Sequence, residues 1–324
     1  LFMKSELLED NFNALKSRWH KITDEARNLE EEINHRQIES FGLQDELSPE
    51  LSMSEVTLNC NPAYRYGEQI SEEERQNRFL SNTISEFLSY AVGCMFGRYS
   101  LDAPGLILAN QGESLESYLA QVPRPQFLPD ADNVIPVLEG DWFADDITER
   151  FRKFLRTTFG EARFAENLAF IEDALGKDVR RYFTRDFFND HLKRYRNRPI
   201  YWMFASPKGS FQALIYMHRY RPDTVSVVLN DYLREYRNKL EAHRKSLEAN
   251  SLSGDASSVQ RTKAEKEIGE VAKTIAELDA YERDVLFPLA TQKIEIDLDD
   301  GVKANYPKFG DALKPIKGLS DADD

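Results

Sequence analysis

A chain of 324 residues, 41% hydrophobic and 30% charged, carries apolar material for one large or two modest soluble domains. Its formal charge of −14 excludes a uniformly basic nucleic-acid binder but leaves room for one basic face. Two cysteines, Cys60 and Cys94, without C-x-x-C spacing supply no disulfide or zinc framework and suit a reducing, cytoplasmic compartment.

No apolar run approaches the roughly 20 residues that span a bilayer, so no membrane partner is expected. The opening LFMKSELLED has neither an initiator Met at position 1 nor a signal-peptide pattern, as expected of a piece from a longer protein. Leu8, Phe12, Leu15, Trp19, Ile22, Ala26, Leu29 and Ile33 follow at alternating steps of four and three. That seam predicts one long packing helix over residues 5–39, ended by Gly42 and Pro49.

A second helix is predicted from the capping box Ser71-Glu72-Glu73-Glu74 to Tyr99, with Gly93 and Gly97 admitting a neighbouring helix. Residues 102–146 read as an ordered surface connection, with a turn of helix at Leu115–Leu119 and anchors at Ile135, Val137, Leu138, Trp142 and Phe143. Between Asp130 and Asp146 there are six acids and no base. Helices are predicted at Ile147–Phe159, Phe164–Leu175 and Val179–Tyr195. Two β-favouring runs around Ser206-Pro207-Lys208-Gly209 predict a β-hairpin over residues 199–217.

After Pro222-Asp223, two long helices flank the polar tip SLSGDASS at 251–258 and predict an antiparallel helical hairpin that Pro288 stops. Alternation of Ile294, Ile296 and Leu298 before Asp300-Gly301 predicts a second β-hairpin. A calcium loop fails there, because the Gly comes fifth rather than sixth from Asp297 and the twelfth position is Lys308. The class expected is mainly α with small antiparallel β elements (α+β), without a Rossmann-type sheet. The expected organisation is a packing helix at 1–41, a helical domain with the acidic connection at 42–176 and a basic helix-plus-hairpin segment at 177–222. A helical hairpin at 223–290 and a β-hairpin with tail at 291–324 complete it.

Asn61-Pro62-Ala63-Tyr64 spells most of the Asn-Pro-Pro-Tyr tetrapeptide with which adenine methyltransferases grip a flipped base. The scaffold for that chemistry is missing: no G-x-G occurs, and no alternation of strands and helices builds a parallel sheet for a methyl donor. The expected role is a turn begun by Asn61-Pro62, with Tyr64 and Tyr66 packed nearby. His20, His35, His191, His218 and His243 show no metal-ligand spacing. No catalytic residue and no metal ligand is therefore expected here.

Charge is uneven. Residues 177–221 hold eleven Lys/Arg and three acids, +8 locally, which leaves −22 for the rest. The candidate nucleic-acid-binding residues are Arg180, Arg181, Arg185, Lys193, Arg194, Arg196, Arg198, Lys208, Arg219 and Arg221, interleaved with Tyr182, Tyr195, Tyr201 and Trp202. Arginine and lysine neutralise phosphates and release counterions, and arginine also reads guanine edges. The competing reading is that these bases pair with surplus acids, the Asp130–Asp146 segment among them.

Several long blocks resemble the C-terminal part of the PglX family. They are ISEFLSYAVGCMFGRYSLDAPGLILANQGE, VIPVLEGDWFADDITERFRKFL, NRPIYWMFASPKGSFQALIYMHRYRPDTVSVVLNDYLREYR and IEIDLDDGVKANYPKFGDAL. PglX proteins are the adenine-specific DNA methyltransferases of bacterial BREX phage defence, and the resemblance runs from about Gly42 to Leu319. It implies that S-adenosylmethionine and the catalytic tetrapeptide belong to an upstream domain, with no cofactor held in this chain. It also implies double-stranded DNA and other BREX proteins as partners. The function expected is DNA recognition or clamping by a non-catalytic region of an N6-adenine methyltransferase. The alternative is a module that docks BREX proteins and uses its bases in ion pairs. The charge map adds an acidic DNA mimic from phage as a further expected partner.

Overall fold

The computed structural model describes residues 5–252 and 257–320. The first helices are α1 (Leu8–Phe41), α2 (Pro62–Tyr66), α3 (Glu72–Met95) and α4 (Leu115–Gln121). Strand β1 (Val134–Pro136) precedes α5 (Ile147–Phe159), α6 (Phe164–Leu175), α7 (Val179–Arg185) and α8 (Phe187–Arg194). Strands β2 (Tyr201–Ala205) and β3 (Gln212–Tyr216) follow, then α9 (Thr224–Val227), α10 (Arg234–Ser251), α11 (Ser258–Tyr281), α12 (Phe287–Gln292) and α13 (Gly301–Asn305). The class is the expected one, mainly helical with a small antiparallel sheet. Contacts divide the chain into two compact units, Leu1–Phe87 with Leu155–Lys177, and Leu88–Phe154 with Asp178–Asp324.

In the first unit the start of α1 is tied down by Asn167. Its Oδ1 accepts from Leu8 N (2.7 Å) and its Nδ2 donates to the Glu6 carbonyl (2.9 Å). Farther along α1 the Trp19 ring meets Phe79 of α3 edge-on at 5.3 Å. The expected seam holds only for its first half. Ile22, Leu29 and Ile33 are 38%, 61% and 54% exposed, while Thr23 is buried in their place. A straight helix has 3.6 residues per turn, so a 3.5-residue seam drifts about 20° per heptad unless a partner enforces supercoiling. Burial instead follows the straight helix through Thr23 to the half-buried Asn34 and Ile38.

Asn61 does more than begin a turn. Buried to 1% exposure, it caps α2 by accepting from Ala63 N (3.0 Å), and its Nδ2 donates to the carbonyls of Met53 (2.6 Å) and Val56 (2.9 Å). Its polar atoms are committed to the backbone, which leaves nothing with which to grip a base. The Tyr66 hydroxyl bonds Asn82 Nδ2 (2.6 Å), whereas Tyr64 is 45% exposed rather than packed.

Ser71 caps α3 as expected, accepting from Glu74 N (3.1 Å). That helix ends at Met95, not Tyr99. Gly93 is needed because a Cβ there would collide with the Tyr99 ring, and Gly97, at φ +77°, turns the chain beyond the helix. The expected helix–helix contact through these glycines is therefore a helix–ring contact and a turn.

The second unit is built around the sheet, ordered β1-β3-β2 and antiparallel throughout, with Val134 opposite Ile215 and Tyr201 opposite Tyr216. Its strands are buried on both faces, so they read as continuous apolar runs rather than alternation. Trp202 and Phe204 meet Phe309 (5.4 and 6.2 Å), and Tyr201 stacks on Phe96 at 5.3 Å. The acidic connection is thus not a surface segment: it supplies the third strand, with Pro136 tolerated because β1 is an edge. The helix expected at Val179–Tyr195 breaks at Asp186 into α7 and α8.

The helical hairpin forms, and each arm contains a π-helical stretch, Val228–Leu233 and Glu282–Leu286. Pro288 does not stop the second arm. The helix runs on through the π stretch, where Phe287 N bonds Glu282 O, and Pro288, which has no N–H to donate, directly follows that shift in bonding. The tip around 253–256 lies outside the described residues. The second β-hairpin is replaced by α13 and a 3-10 turn at Leu298–Asp300. Buried Asn305 decides this: its Oδ1 accepts from Asp297 N (3.1 Å) and its Nδ2 donates to the Gly301 carbonyl (2.9 Å), outcompeting strand pairing.

Candidate nucleic-acid interface

The candidate basic residues share the second unit but not one environment. Arg219 is 4% exposed and spans the carbonyls of Phe96 (3.3 Å), Asp130 (2.9 Å) and Ala131 (3.1 Å). Arg180 has only 14% of its side chain exposed and pairs with Asp146 (2.5 Å) and Asp141 (2.6 Å) while donating to the Leu138 and Gly140 carbonyls. Both are removed from the expected exposed set, because their guanidinium groups are turned inward, onto backbone carbonyls for Arg219 and onto aspartates and carbonyls for Arg180, away from an external phosphate. Asp130, itself buried, also holds Arg150, and burial pushes its carboxyl up to about 7 despite that charge. The acidic connection therefore braces the core through arginine.

A second group is exposed but paired. Arg185 reaches Glu139 (3.0 Å), Lys193 reaches Asp190 (3.6 Å) and Arg221 reaches Asp223 (3.2 Å), with 68%, 80% and 65% of their side chains exposed. Such pairs contribute roughly 0–1 kcal/mol and exchange readily for a phosphate. Lys208 is exposed on the β2–β3 turn, whose backbone Glu277 fixes by accepting from Lys208 N (2.8 Å) and Ser210 Oγ (2.6 Å).

The third group is exposed and lacks side-chain acceptors among the described residues: Arg181, Arg194, Arg196 and Arg198. Three of these cluster at the end of α8. There Arg196 N donates to Lys193 O (3.3 Å) and Asn197 N to Leu192 O (2.9 Å), the paired bonds of a Schellman cap. Arg196 (φ +52°) and Asn197 (φ +59°) both occupy the left-handed region, where glycine is the favoured residue. An arginine at that position carries backbone strain that a glycine would not.

Behind the cap lies an aromatic layer. His191 is buried and its Nε2 accepts from Ile200 N (3.2 Å) and Tyr201 N (3.1 Å), joining α8 to β2. Burial, then the charges of Arg194 and Arg98, hold its imidazole down at about 3. Tyr195 and Tyr201 flank it with ring centroids at 4.6 and 4.8 Å. Of the interleaved aromatics, Tyr201, Tyr182 and Trp202 belong to the core, at 2%, 3% and 0% exposed, while Tyr195 is half-buried.

Sequence reasoning missed two cations. Arg98 comes from the turn after α3, far upstream of the basic segment. Lys314 lies 5.6 Å from the Phe188 ring, and burial followed by the Arg185 charge lowers its ammonium. Neither sits in a charge-rich stretch, so only tertiary structure finds them. The sheet of the described residues is antiparallel and three-stranded, not a parallel doubly wound sheet with a glycine-rich strand-to-helix turn. No cluster of three or more metal-ligating side chains and no helix long and apolar enough to cross a membrane occurs among the described residues.

No protein-family model matches this chain. It is 36% identical over 340 aligned positions, 98% of the chain, to the adenine-specific methyltransferase BrxX of Escherichia coli O9:H4 (strain HS). It is 37% identical over 310 positions, 91% of the chain, to the adenine-specific methyltransferase PglX of Lacticaseibacillus casei (strain Zhang). The matches span 28% and 24% of those two proteins. Nearly the whole chain therefore corresponds to about a quarter of the BrxX and PglX adenine-specific methyltransferases, and the resemblance to that family read from the sequence blocks holds.

Proposed function

We propose that this chain is a non-catalytic, DNA-gripping region of an adenine-specific methyltransferase of BREX phage defence. In this reading the parent protein acts in the cytoplasm and transfers a methyl group from S-adenosylmethionine bound in another domain. One observation carries it: in a chain of net charge −14, Arg194, Arg196 and Arg198 are exposed at a hydrogen-bonded helix cap with no carboxylate partner among the described residues. Unpaired guanidinium groups on a fixed backbone are suited to phosphate oxygens, and the surrounding negative charge confines anion binding to this face. Arg181, Lys208 and the loosely paired Arg185, Lys193 and Arg221 extend the positive field.

The test is Arg194→Ala, Arg196→Ala and Arg198→Ala together in the complete enzyme, with duplex binding measured across salt concentrations. Each lost phosphate contact lowers the slope of log K against log salt by about 0.9. Loss of two to three in slope, with weaker binding to all sequences, is the expected result; an unchanged slope rejects the reading. An acidic protein mimic of DNA must lose affinity for the same triple variant if it uses this face.

A docking role is favoured by a different observation. Residues 241–274 of the helical hairpin contain no buried side chain among those described, and Leu252 and Val259 near its tip are 84% and 76% exposed. An arm that adds nothing to its own core, with apolar side chains at its end, suits contact with another BREX protein.

A further inference from the structure

Arg98 is placed by the turn after α3, where Gly97 (φ +77°) reverses the chain. Its Nη1 donates to the Tyr216 hydroxyl (2.9 Å) and its Nε to the Tyr99 hydroxyl (3.4 Å). Both rings lie beside the guanidinium, with centroids 5.5 Å (Tyr99) and 5.9 Å (Tyr216) from Cζ. The Tyr216 hydroxyl in turn donates a hydrogen bond to the Leu108 carbonyl (2.8 Å), so the side chain is fixed by a chain of bonds that ends in backbone. Nη2 has no acceptor among the described residues and is not sealed from solvent.

What is missing is an anion. Other half-buried arginines of this unit are neutralised: Arg150 by Asp130, Arg180 by Asp146, Arg234 and Arg237 by Glu282. Glu113 is near enough to Tyr216 and His218 to act on both, yet its carboxylate is taken by Ala109 N (2.6 Å), Asn110 N (2.8 Å) and Asn110 Nδ2 (3.0 Å). The guanidinium is half-buried with no carboxylate paired to it among the described residues, so an anionic ligand would meet no competing counter-charge.

The aromatic layer carries Arg98 to the basic cap. Tyr195 contacts His191, His191 contacts Tyr201, and Tyr201 contacts Tyr216 (5.5 Å), which holds Arg98. The charges of Arg98 and Arg194 both act on His191 and on Tyr195. Two cations from segments about a hundred residues apart thus both act on one buried imidazole and on the tyrosine beside it.

We infer that Arg98 binds a backbone phosphate of duplex DNA beside Arg194, with Tyr99 and Tyr216 fixing the orientation of its guanidinium. This rests on the DNA reading above and adds to it a residue outside the basic segment. The ligand class is a phosphodiester, recognised by charge and by the open Nη2 edge rather than by base identity.

The experiment uses the complete methyltransferase. Arg98→Met keeps the aliphatic stem and removes the charge, Arg98→Lys keeps the charge, and the Arg194/Arg196/Arg198 triple alanine variant is run beside them. Duplex affinity is read by fluorescence anisotropy over a salt series. The expected result is an affinity five- to tenfold lower and a slope lower by about one for Arg98→Met, with the slope kept in Arg98→Lys. If Arg98→Met leaves affinity and slope unchanged while the triple variant lowers both, this inference fails and the DNA reading stands; if neither changes anything, both fail. Should Arg98→Met not fold, phenylglyoxal modification of the wild-type enzyme decides. Arg98 must react in the free protein and be protected by duplex DNA, and equal modification in both states overturns the inference.

Discussion

Replacing Arg196 by glycine should move stability and DNA binding in opposite directions. Arg196 follows the C-cap of α8 at φ +52°, with its amide bonded to Lys193 O and that of Asn197 to Leu192 O. A non-glycine residue in the left-handed region costs about 1–2 kcal/mol relative to glycine. Glycine gives back about 0.5–1 kcal/mol through the greater freedom of its unfolded chain. Arg196→Gly should therefore stabilise the second unit by about 0.5–1 kcal/mol, a Tm rise of about 1–4 °C for a unit of this size. The same change deletes a cation, so the salt slope of duplex binding should fall by about 0.9. Arg196→Ala is the control, because it loses the charge but keeps the strained backbone. Both variants should bind DNA equally less well, and only the glycine variant should melt higher. A glycine variant that melts lower refutes the strain argument, and an unchanged slope in both refutes phosphate contact at this residue.

Two further outcomes follow from the geometry. His191 titrates at about 3 in the folded protein, mainly because it is buried, against 6.5 for the ordinary group. Its contribution is complete above pH 6.5 and is lost as pH falls toward 3, because the unfolded chain takes up the proton first. The loss at pH 5 is about 2 kcal/mol at 1.36 kcal/mol per pH unit. His191→Gln, whose Oε1 still accepts from Ile200 N and Tyr201 N, should lose less stability in urea titrations between pH 7.5 and pH 5; an identical pH dependence contradicts the assignment. Replacing residues 247–264 by a short turn should leave folding and DNA methylation intact and abolish co-purification of BREX proteins if the arm docks them. Retained co-purification rejects that role. Deleting the whole of 223–287 is not an equivalent test, because Val225, Val228, Leu233, Leu278 and Leu286 belong to the core of the second unit.

Local chemistry was legible wherever a short-range rule had no competitor. Ser71 announced the start of α3, Gly42 the end of α1, and the Pro-Lys-Gly turn the β2–β3 hairpin. Tertiary partners decided the rest. Asp300-Gly301 looked like a hairpin turn until Asn305 claimed the backbone of Asp297. Pro288 looked like a stop until a π-helical stretch shifted the bonding just before it. Strand β1 is three residues long inside a proline-bearing acidic stretch, too short to show a period of its own. The basic segment was legible as composition, but composition does not say which arginines face inward. Arg219 and Arg180 turn to carbonyls and aspartates supplied by the same acidic connection.

That inward turn sharpens the electrostatic argument. The acids between Asp130 and Asp146 are the obvious neutralisers of the basic segment, and their strongest pairings are with Arg150 and Arg180, close to the core. Asp130 and Asp146 are themselves buried, so they cannot swing out to screen a surface arginine without leaving a guanidinium unpaired inside the unit. The other four acids, Asp132, Glu139, Asp141 and Asp145, are exposed, with Glu139 bound to Arg185 and Asp141 to Arg180. The two buried aspartates of the connection are committed to Arg150 and Arg180, and Arg194, Arg196 and Arg198 have no carboxylate partner among the described residues. An anion that binds there displaces water and counterions rather than a protein carboxylate, which is why salt concentration, more than pH, should govern its affinity.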